Sequence, residues 1–160
     1  MPGLEDLYRE IILDHYRSPR NRGELAVPPA HKVEGFNPLC GDEVVLYLDV
    51  DPDSGEVRDV KIAGQGCSIS QASTSMMSAA VKGKSIDEAR QLIRAFKALM
   101  SIHESKLEGD GDGADLQADL EGVRLGDLEA LQGVVKFPVR IKCATLAWNT
   151  LQQALDDAGA

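Results

Sequence analysis

The chain carries three cysteines, and each lies beside residues that could give its sulfur a chemical role. Cys40 is one glycine away from Asp42, so a thiol and a carboxylate can point the same way. Cys67 directly follows Gly64-Gln-Gly66, whose glycines allow another part of the backbone to approach closely. Cys143 lies near the start of a predicted helix. Thiolates and carboxylates bind soft and borderline metal ions, zinc above all.

Two interpretations of these residues stay open on spacing alone. In the first, three thiolates and one carboxylate from loops and helix starts form a tetrahedral metal site; its ligands would be Cys40, Asp42, Cys67 and Cys143. In the second, the cysteines are buried as small hydrophobic residues, which is common for a free thiol. The sequence has no Cys-x-x-Cys pair to favour the metal.

The N-terminal half of the chain predicts one helix followed by a small sheet. Apolar residues recur at helical spacing from Leu4 to His15, which indicates an amphipathic helix. From Asp42 to Val50 the pattern changes to alternation, which is typical of a half-buried strand. The turn residues 51–55 and a second extended run, Val57 to Ala63, predict an antiparallel hairpin. The segment His31 to Phe36 is expected to add an edge strand.

Helices are predicted to follow the sheet. The sequence Ser68-Ile-Ser-Gln71 resembles a capping box that opens a small-residue helix through Ala80, which places Cys67 at a helix N-terminus. A second apolar stripe runs from Ile86 to Met100, with Ser85 or Asp87 near its start.

The C-terminal part of the chain is expected to end in a further helix. Residues 108–120 are acidic and glycine-rich, which indicates a solvated loop or insertion that we expect to be mobile, and Leu125 to Leu131 suggest a short helix. Phe137-Pro138 is expected to end the preceding element. The last helix would place Cys143 in its first turn, where free N–H groups and the helix dipole favour a thiolate. Together the pattern predicts an α+β fold, a single domain over residues 1–160 with a small antiparallel sheet and helices packed against it.

Composition excludes several classes of function. The 160 residues carry 17 Lys and Arg against 26 Asp and Glu, and the net charge of −9 repels nucleic acids and anionic membranes. The apolar runs are too short to span a bilayer, and the acidic N-terminus does not resemble a secretion signal, so we expect a cytoplasmic protein. The three histidines, His15, His31 and His103, form no ligand-spaced pair and are expected to be ordinary surface or half-buried residues.

Three motifs carry a resemblance to a known family. They are Pro38-Leu-Cys40-Gly-Asp42, Gly64-Gln-Gly66-Cys67-Ser-Ile-Ser70-Gln-Ala-Ser73 and Phe137-Pro-Val-Arg140-Ile-Lys-Cys143-Ala-Thr-Leu-Ala-Trp148. In order and context they resemble the SufU branch of the IscU and NifU N-terminal iron–sulfur assembly proteins. IscU-like chains have a histidine immediately before the third cysteine, whereas this chain has Lys142 there and Arg140 two residues earlier, as the SufU branch does.

The resemblance implies a fold, a site and a partner. The fold would be a small antiparallel three-stranded sheet with helices packed against it, and the zinc site would be formed by Cys40, Asp42, Cys67 and Cys143. Cys40 occupies the position that accepts sulfur from a pyridoxal-phosphate cysteine desulfurase of the SufS type, and Arg140 would lie near the site and stabilise its negative charge. Downstream iron–sulfur assembly proteins would be further partners.

Three functions are therefore compatible with the sequence. The first is a zinc-dependent sulfur acceptor, or sulfurtransferase, that takes persulfide sulfur through Cys40. The second is a non-enzymatic scaffold on which a transient [2Fe-2S] cluster is built on Cys40, Cys67 and Cys143. The third is a structural zinc adaptor without sulfur chemistry. Arg140 and Lys142 favour the first over the second, through the resemblance alone.

Overall fold

The fold was analysed in a computed structural model, which describes residues 4–27, 30–38, 41–108, 126, 128, 130–131 and 138–158; for residues 4–8, 101–108 and 138–139 only the backbone is described. The elements in chain order are helix α1 Leu4–Arg17, strands β1 His31–Asn37, β2 Asp42–Val50 and β3 Val57–Gln65, and helices α2 Ser68–Val81, α3 Ile86–Glu108 and α4 Pro138–Asp157. The predicted α+β class is confirmed. Within the described ranges no helix is both long and apolar enough to cross a membrane.

The three strands form one antiparallel sheet in the order β1-β2-β3. The predicted hairpin of β2 and β3 and the predicted edge strand β1 are both confirmed. The alternating pattern of β2 buries Val44, Leu46 and Leu48 on the side that faces the helices. The register pairs Asn37 with Asp42, so the loop that contains Cys40 joins two directly paired residues.

Helices α2 and α4 pack against each other and against the sheet. Ser73 holds them together, because its Oγ donates a 2.6 Å hydrogen bond to the Ala144 carbonyl and accepts one of 3.2 Å from Trp148 Nε1. The buried indole of Trp148 in turn stacks on Phe96 of α3, with ring centroids 4.8 Å apart. A small hydroxyl in α2 therefore sets the position of α4, where Cys143 lies.

The predicted capping box at the start of α2 is wrong by one residue. The N-cap is Cys67 itself, whose sulfur accepts the backbone N–H of Ser70. A sulfur atom can take the place that the Ser68 hydroxyl was expected to fill, because capping needs only an acceptor at the first non-helical residue. A reciprocal capping box is present at α3, where Ser85 and Glu88 exchange backbone-to-side-chain hydrogen bonds.

The predicted position of Cys143 in the last helix also needs correction. Helix α4 begins at Pro138, so Cys143 lies in the second turn rather than the first. Proline ends a preceding element, but it is also favoured at the first helical position, where its missing N–H would be unpaired anyway. The helix dipole acts mainly within the first turn, so its support for a Cys143 thiolate is smaller than expected.

His15 is buried, which contradicts the expected surface or half-buried role. It is 2 % exposed, and its Nδ1 lies 2.8 Å from Ser75 Oγ in α2. The hydrogen bond lets α1 pack its polar edge against the serine-rich helix.

The predicted acidic insertion lies, apart from Glu108, outside the described residues. Of the predicted short helix 125–131, residues 128, 130 and 131 are described and buried.

We predict that Ser73→Ala lowers the free energy of unfolding by about 1–3 kcal/mol, because it leaves the buried Trp148 N–H and the Ala144 carbonyl without this partner. Urea denaturation checks this. Trp148→Phe removes the indole N–H, so the double variant should lose less than the sum of the single variants. Strictly additive losses would show that the Ser73 bridge does not couple the two helices.

Candidate metal centre

Three side chains that can bind a metal meet where β2, α2 and α4 converge. One carboxylate oxygen of Asp42 and the sulfurs of Cys67 and Cys143 all lie within 4.8 Å of one another. Asp42 and Cys143 are fully buried, whereas Cys67 is half-buried. The fourth predicted ligand, Cys40, lies outside the described residues. Of the three described side chains, Cys67 is therefore the one that is partly accessible to solvent.

The carboxylate of Asp42 is held by hydrogen bonds at both oxygens. Oδ1 accepts the backbone N–H of Cys67 at 3.0 Å, and Oδ2 lies 3.5 Å from the amide Nδ2 of Asn37. The same amide lies 3.9 Å from Cys143 Sγ. Asn37 is buried and links the carboxylate to a thiol, a role that the sequence analysis did not foresee. Its position directly before the Cys40 loop was the available signal.

The sulfur of Cys67 lies at the positive end of α2. As the N-cap it accepts the Ser70 N–H at 3.4 Å, and the unpaired N–H groups of the first turn add a favourable potential for negative charge. The sulfur of Cys67 therefore lies among N–H groups that favour an electron-rich ligand atom. The prediction that Cys67 lies at a helix N-terminus is confirmed.

The glycines before Cys67 are required by close backbone approach, as the sequence indicates. Gly64 has φ +117°, and a Cβ there would lie 2.1 Å from the Glu43 carbonyl oxygen. A Cβ on Gly66 would lie 2.5 Å from Asp42 Oδ1. The loop before α2 can therefore lie against the start of β2 only because both side chains are absent.

Arg140 lies in the first turn of α4, exposed to solvent and within interaction distance of two sulfurs. The charge of a Cys67 thiolate, together with hydrogen bonds to Cys143 and Cys67, raises the pKa of the Arg140 guanidinium above its usual value. The guanidinium therefore keeps its positive charge beside the two thiols.

The donor set fits a thiophilic metal ion. In a tetrahedral zinc site with ligands at 2.0–2.3 Å, the ligand atoms lie about 3.3–3.8 Å apart. The observed separations of up to 4.8 Å need only small rotations of the side chains to reach this range. Two sulfurs and one oxygen leave one coordination position for a further ligand. Thiolates select zinc or iron–sulfur clusters over magnesium or calcium.

Comparison with known proteins places the chain in a family. A family model described as the NifU-like N-terminal domain matches residues 7–121. The chain belongs to this family. It is 43% identical over 152 residues to a zinc-dependent sulfurtransferase SufU from Bacillus subtilis, a match that covers 95% of this chain and 91% of the relative.

Two further similar proteins are described as scaffold proteins. An iron–sulfur cluster assembly scaffold protein IscU from Streptococcus pyogenes is 40% identical over 152 residues, which cover 95% of this chain and 84% of the relative. A crystal structure of a candidate iron–sulfur cluster assembly scaffold protein for the SUF system from Fervidobacterium islandicum is 35% identical. It superposes with a TM-score of 0.68 over 96% of this chain and 99% of that chain. The expected resemblance to SufU, IscU and NifU proteins is confirmed.

We predict that Gly66→Ala weakens zinc binding by at least about tenfold, because the new methyl group would displace Asp42 Oδ1 from the two thiols. Competition with a chromogenic zinc chelator measures the effect. Gly55→Ala is the matched control, since Gly55 also has positive φ but has open space around its Cβ position. Equal zinc affinities for the two variants would show that the close approach at Gly66 does not position Asp42.

Proposed function

We propose that this protein acts in iron–sulfur cluster assembly as a zinc-dependent sulfur acceptor that takes sulfur from a cysteine desulfurase through Cys40. The observation that carries the proposal is the convergence of Asp42, Cys67 and Cys143 within 4.8 Å, with Arg140 beside the two sulfurs. The match to the zinc-dependent sulfurtransferase over almost the whole chain supports the same assignment.

Cys40 is the proposed fourth ligand and the reactive thiol. Two peptide units separate it from Asp42, which limits the distance between their Cα atoms to about 7 Å. Asn37 and Asp42 are paired at the end of the β1–β2 hairpin, so the loop that carries Cys40 starts and ends at the centre. Zinc bound to these residues would hold the cysteine sulfurs as thiolates at neutral pH.

The proposed transfer uses the residues of this chain as follows. The Cys40 thiolate attacks the outer sulfur of a persulfide on the desulfurase. One S–S bond forms on Cys40 while the bond to the desulfurase cysteine breaks, and that cysteine leaves as a thiolate. No net oxidation or reduction takes place. Asp42, Cys67 and Cys143 would keep their places meanwhile, because backbone and amide hydrogen bonds link them.

Arg140 has a proposed electrostatic role in this step. The persulfide donor and the acceptor thiolate are both negative, so their approach is opposed by like charge. The guanidinium at the open side of the centre is exposed, and it reaches the sulfurs of Cys67 and Cys143. It would lower the electrostatic cost of bringing the donor to the acceptor.

A second candidate function is a scaffold on which a [2Fe-2S] cluster is assembled on Cys40, Cys67 and Cys143. The similarity to the Streptococcus pyogenes scaffold over 95% of this chain favours it. Cysteine thiolates are the usual ligands of such clusters. The two functions would use the same residues and differ in what the centre receives, which is sulfur alone in the first case and iron with sulfide in the second.

We predict that incubation with a cysteine desulfurase and cysteine adds one sulfur atom to Cys40 and none to Cys40→Ser. Trypsin cleaves after Arg58, Lys61 and Lys142, among other sites, so the three cysteines fall on three different peptides. Mass spectrometry of alkylated peptides therefore assigns the sulfur directly.

Circular dichroism of Cys40→Ser serves as the control for folding, and it should match the wild type because position 40 lies between β1 and β2 and not within either strand. Sulfur found on Cys67 or Cys143 in place of Cys40 would contradict the assignment of the acceptor. A wild-type chain that takes up no sulfur would contradict the sulfur-acceptor function and leave the scaffold or the zinc adaptor.

A further inference from the structure

The hydroxyl of Ser70 is buried without a partner next to the metal centre. Ser70 is 1% exposed, and its Oγ has no hydrogen-bond partner in the part of the chain that the structure describes. The other buried serines of α2 differ, since Ser73, Ser75 and Ser78 all make side-chain hydrogen bonds. A buried hydroxyl without a partner costs free energy, and native proteins contain few of them. Alanine at this position would avoid that cost.

Ser70 lies in the first turn of α2, beside the centre. Ser70 lies three residues before Ser73 and shares its face of α2, which contacts α4 at Ala144 and Trp148. In an α-helix the Cα–Cβ bond tilts toward the N-terminus, so the Ser70 side chain covers the preceding turn. That turn begins at Cys67, whose sulfur already accepts the Ser70 backbone N–H. Helix geometry therefore places the Ser70 side chain over the N-terminal turn of α2, on the side of the helix that faces α4.

The chemistry of the centre limits what could satisfy this hydroxyl. Asp42 already receives the Cys67 N–H, and neither thiol is a hydrogen-bond partner of the Ser70 Oγ. A metal cation cannot accept a hydrogen bond. An anionic sulfur atom that enters the centre can accept one, and hydrogen bonds to charged acceptors are stronger than neutral ones.

We propose that the Ser70 hydroxyl donates a hydrogen bond to the sulfur atom delivered to this centre, either the terminal sulfur of a persulfide or the sulfide of a cluster. This inference rests on the proposed function and adds a binding residue to it. Ser70 would retain delivered sulfur without ligating the metal. The free energy cost of the buried hydroxyl without a partner is then offset when sulfur binds.

The test compares Ser70→Ala, which removes the donor, with Ser70→Thr, which keeps a hydroxyl. Ser78→Ala is the matched control, because Ser78 is a buried serine at the other end of α2 whose hydroxyl bonds to Arg20 and Ser75. Each variant is loaded with sulfur by a cysteine desulfurase and cysteine and then separated from both. The remaining persulfide is followed over time by alkylation and mass spectrometry. In a second arm, each variant is reconstituted without air from ferrous iron and sulfide, and the visible absorption of the cluster is followed.

We expect Ser70→Ala to lose its sulfur about tenfold faster than the wild type in one of the two arms. Faster loss of persulfide would identify the persulfide as the acceptor of the hydrogen bond, and faster loss of the cluster would identify the sulfide. Ser70→Thr should restore most of the lifetime. Zinc content should equal that of the wild type, and the melting temperature should be unchanged or higher, since no hydrogen bond is lost. Ser78→Ala should lower the melting temperature and leave the sulfur lifetime unchanged.

Equal lifetimes for the wild type and Ser70→Ala in both arms would overturn this inference and leave the proposed function intact. So would a melting temperature of Ser70→Ala that falls as far as that of Ser78→Ala, because the hydroxyl would then have a structural partner such as a buried water. A wild type that retains sulfur in neither arm would overturn the proposed function and this inference together.

Discussion

The buried carboxylate of Asp42 is the constraint on which the rest of the centre depends. Burying a charged carboxylate is costly unless hydrogen bonds or opposite charge compensate for the lost water. Here the compensation comes from two parts of the chain: the backbone N–H of Cys67 at the start of α2 and the amide of Asn37 at the end of β1. These contacts tie the sheet to the helix N-terminus. Gly66 is needed because any side chain there would occupy the space of the carboxylate. A bound cation would complete the charge balance.

The helices supply the rigidity that the centre needs. Cys143 is placed by α4, and α4 is held on α2 by the Ser73 hydroxyl and on α3 by the stacked rings of Trp148 and Phe96. Cys67 and Asp42, by contrast, lie at the ends of elements, where loops meet the sheet. The resulting centre has one wall fixed by helix packing and one side formed by loops, where Cys67 is half-buried and Arg140 is exposed. Such a layout suits a site that must exchange sulfur with another protein.

Much of the fold could be predicted from local sequence patterns. Alternation in β2, the turn before β3 and the helical stripes of α1 to α3 each reflect a periodicity that a few neighbouring residues determine. The errors arose where one residue type has two uses. Proline predicts a stop, but Pro138 also begins α4, and Ser68 predicts a cap that Cys67 provides instead.

The roles of Asn37, Ser70 and His15 could not be predicted because each depends on residues that are distant in sequence or on helix rotation. Buried His15 makes a hydrogen bond with Ser75, 60 residues later in the sequence. Asn37 reaches Cys143 across 106 residues, which no local pattern indicates. The convergence of three metal-binding side chains was suggested by residue type and by family resemblance. The distances between these side chains depend on how α4 packs on α2, which the sequence patterns do not give.

We propose that this centre holds zinc rather than a cluster when the protein is at rest. It is tested most directly by measuring zinc, iron and acid-labile sulfide per chain in the protein purified from its own host without exposure to air. We expect about one zinc ion per chain with little iron or sulfide. Iron and sulfide in matching amounts, with zinc absent, would contradict it and identify the centre as a site of cluster assembly.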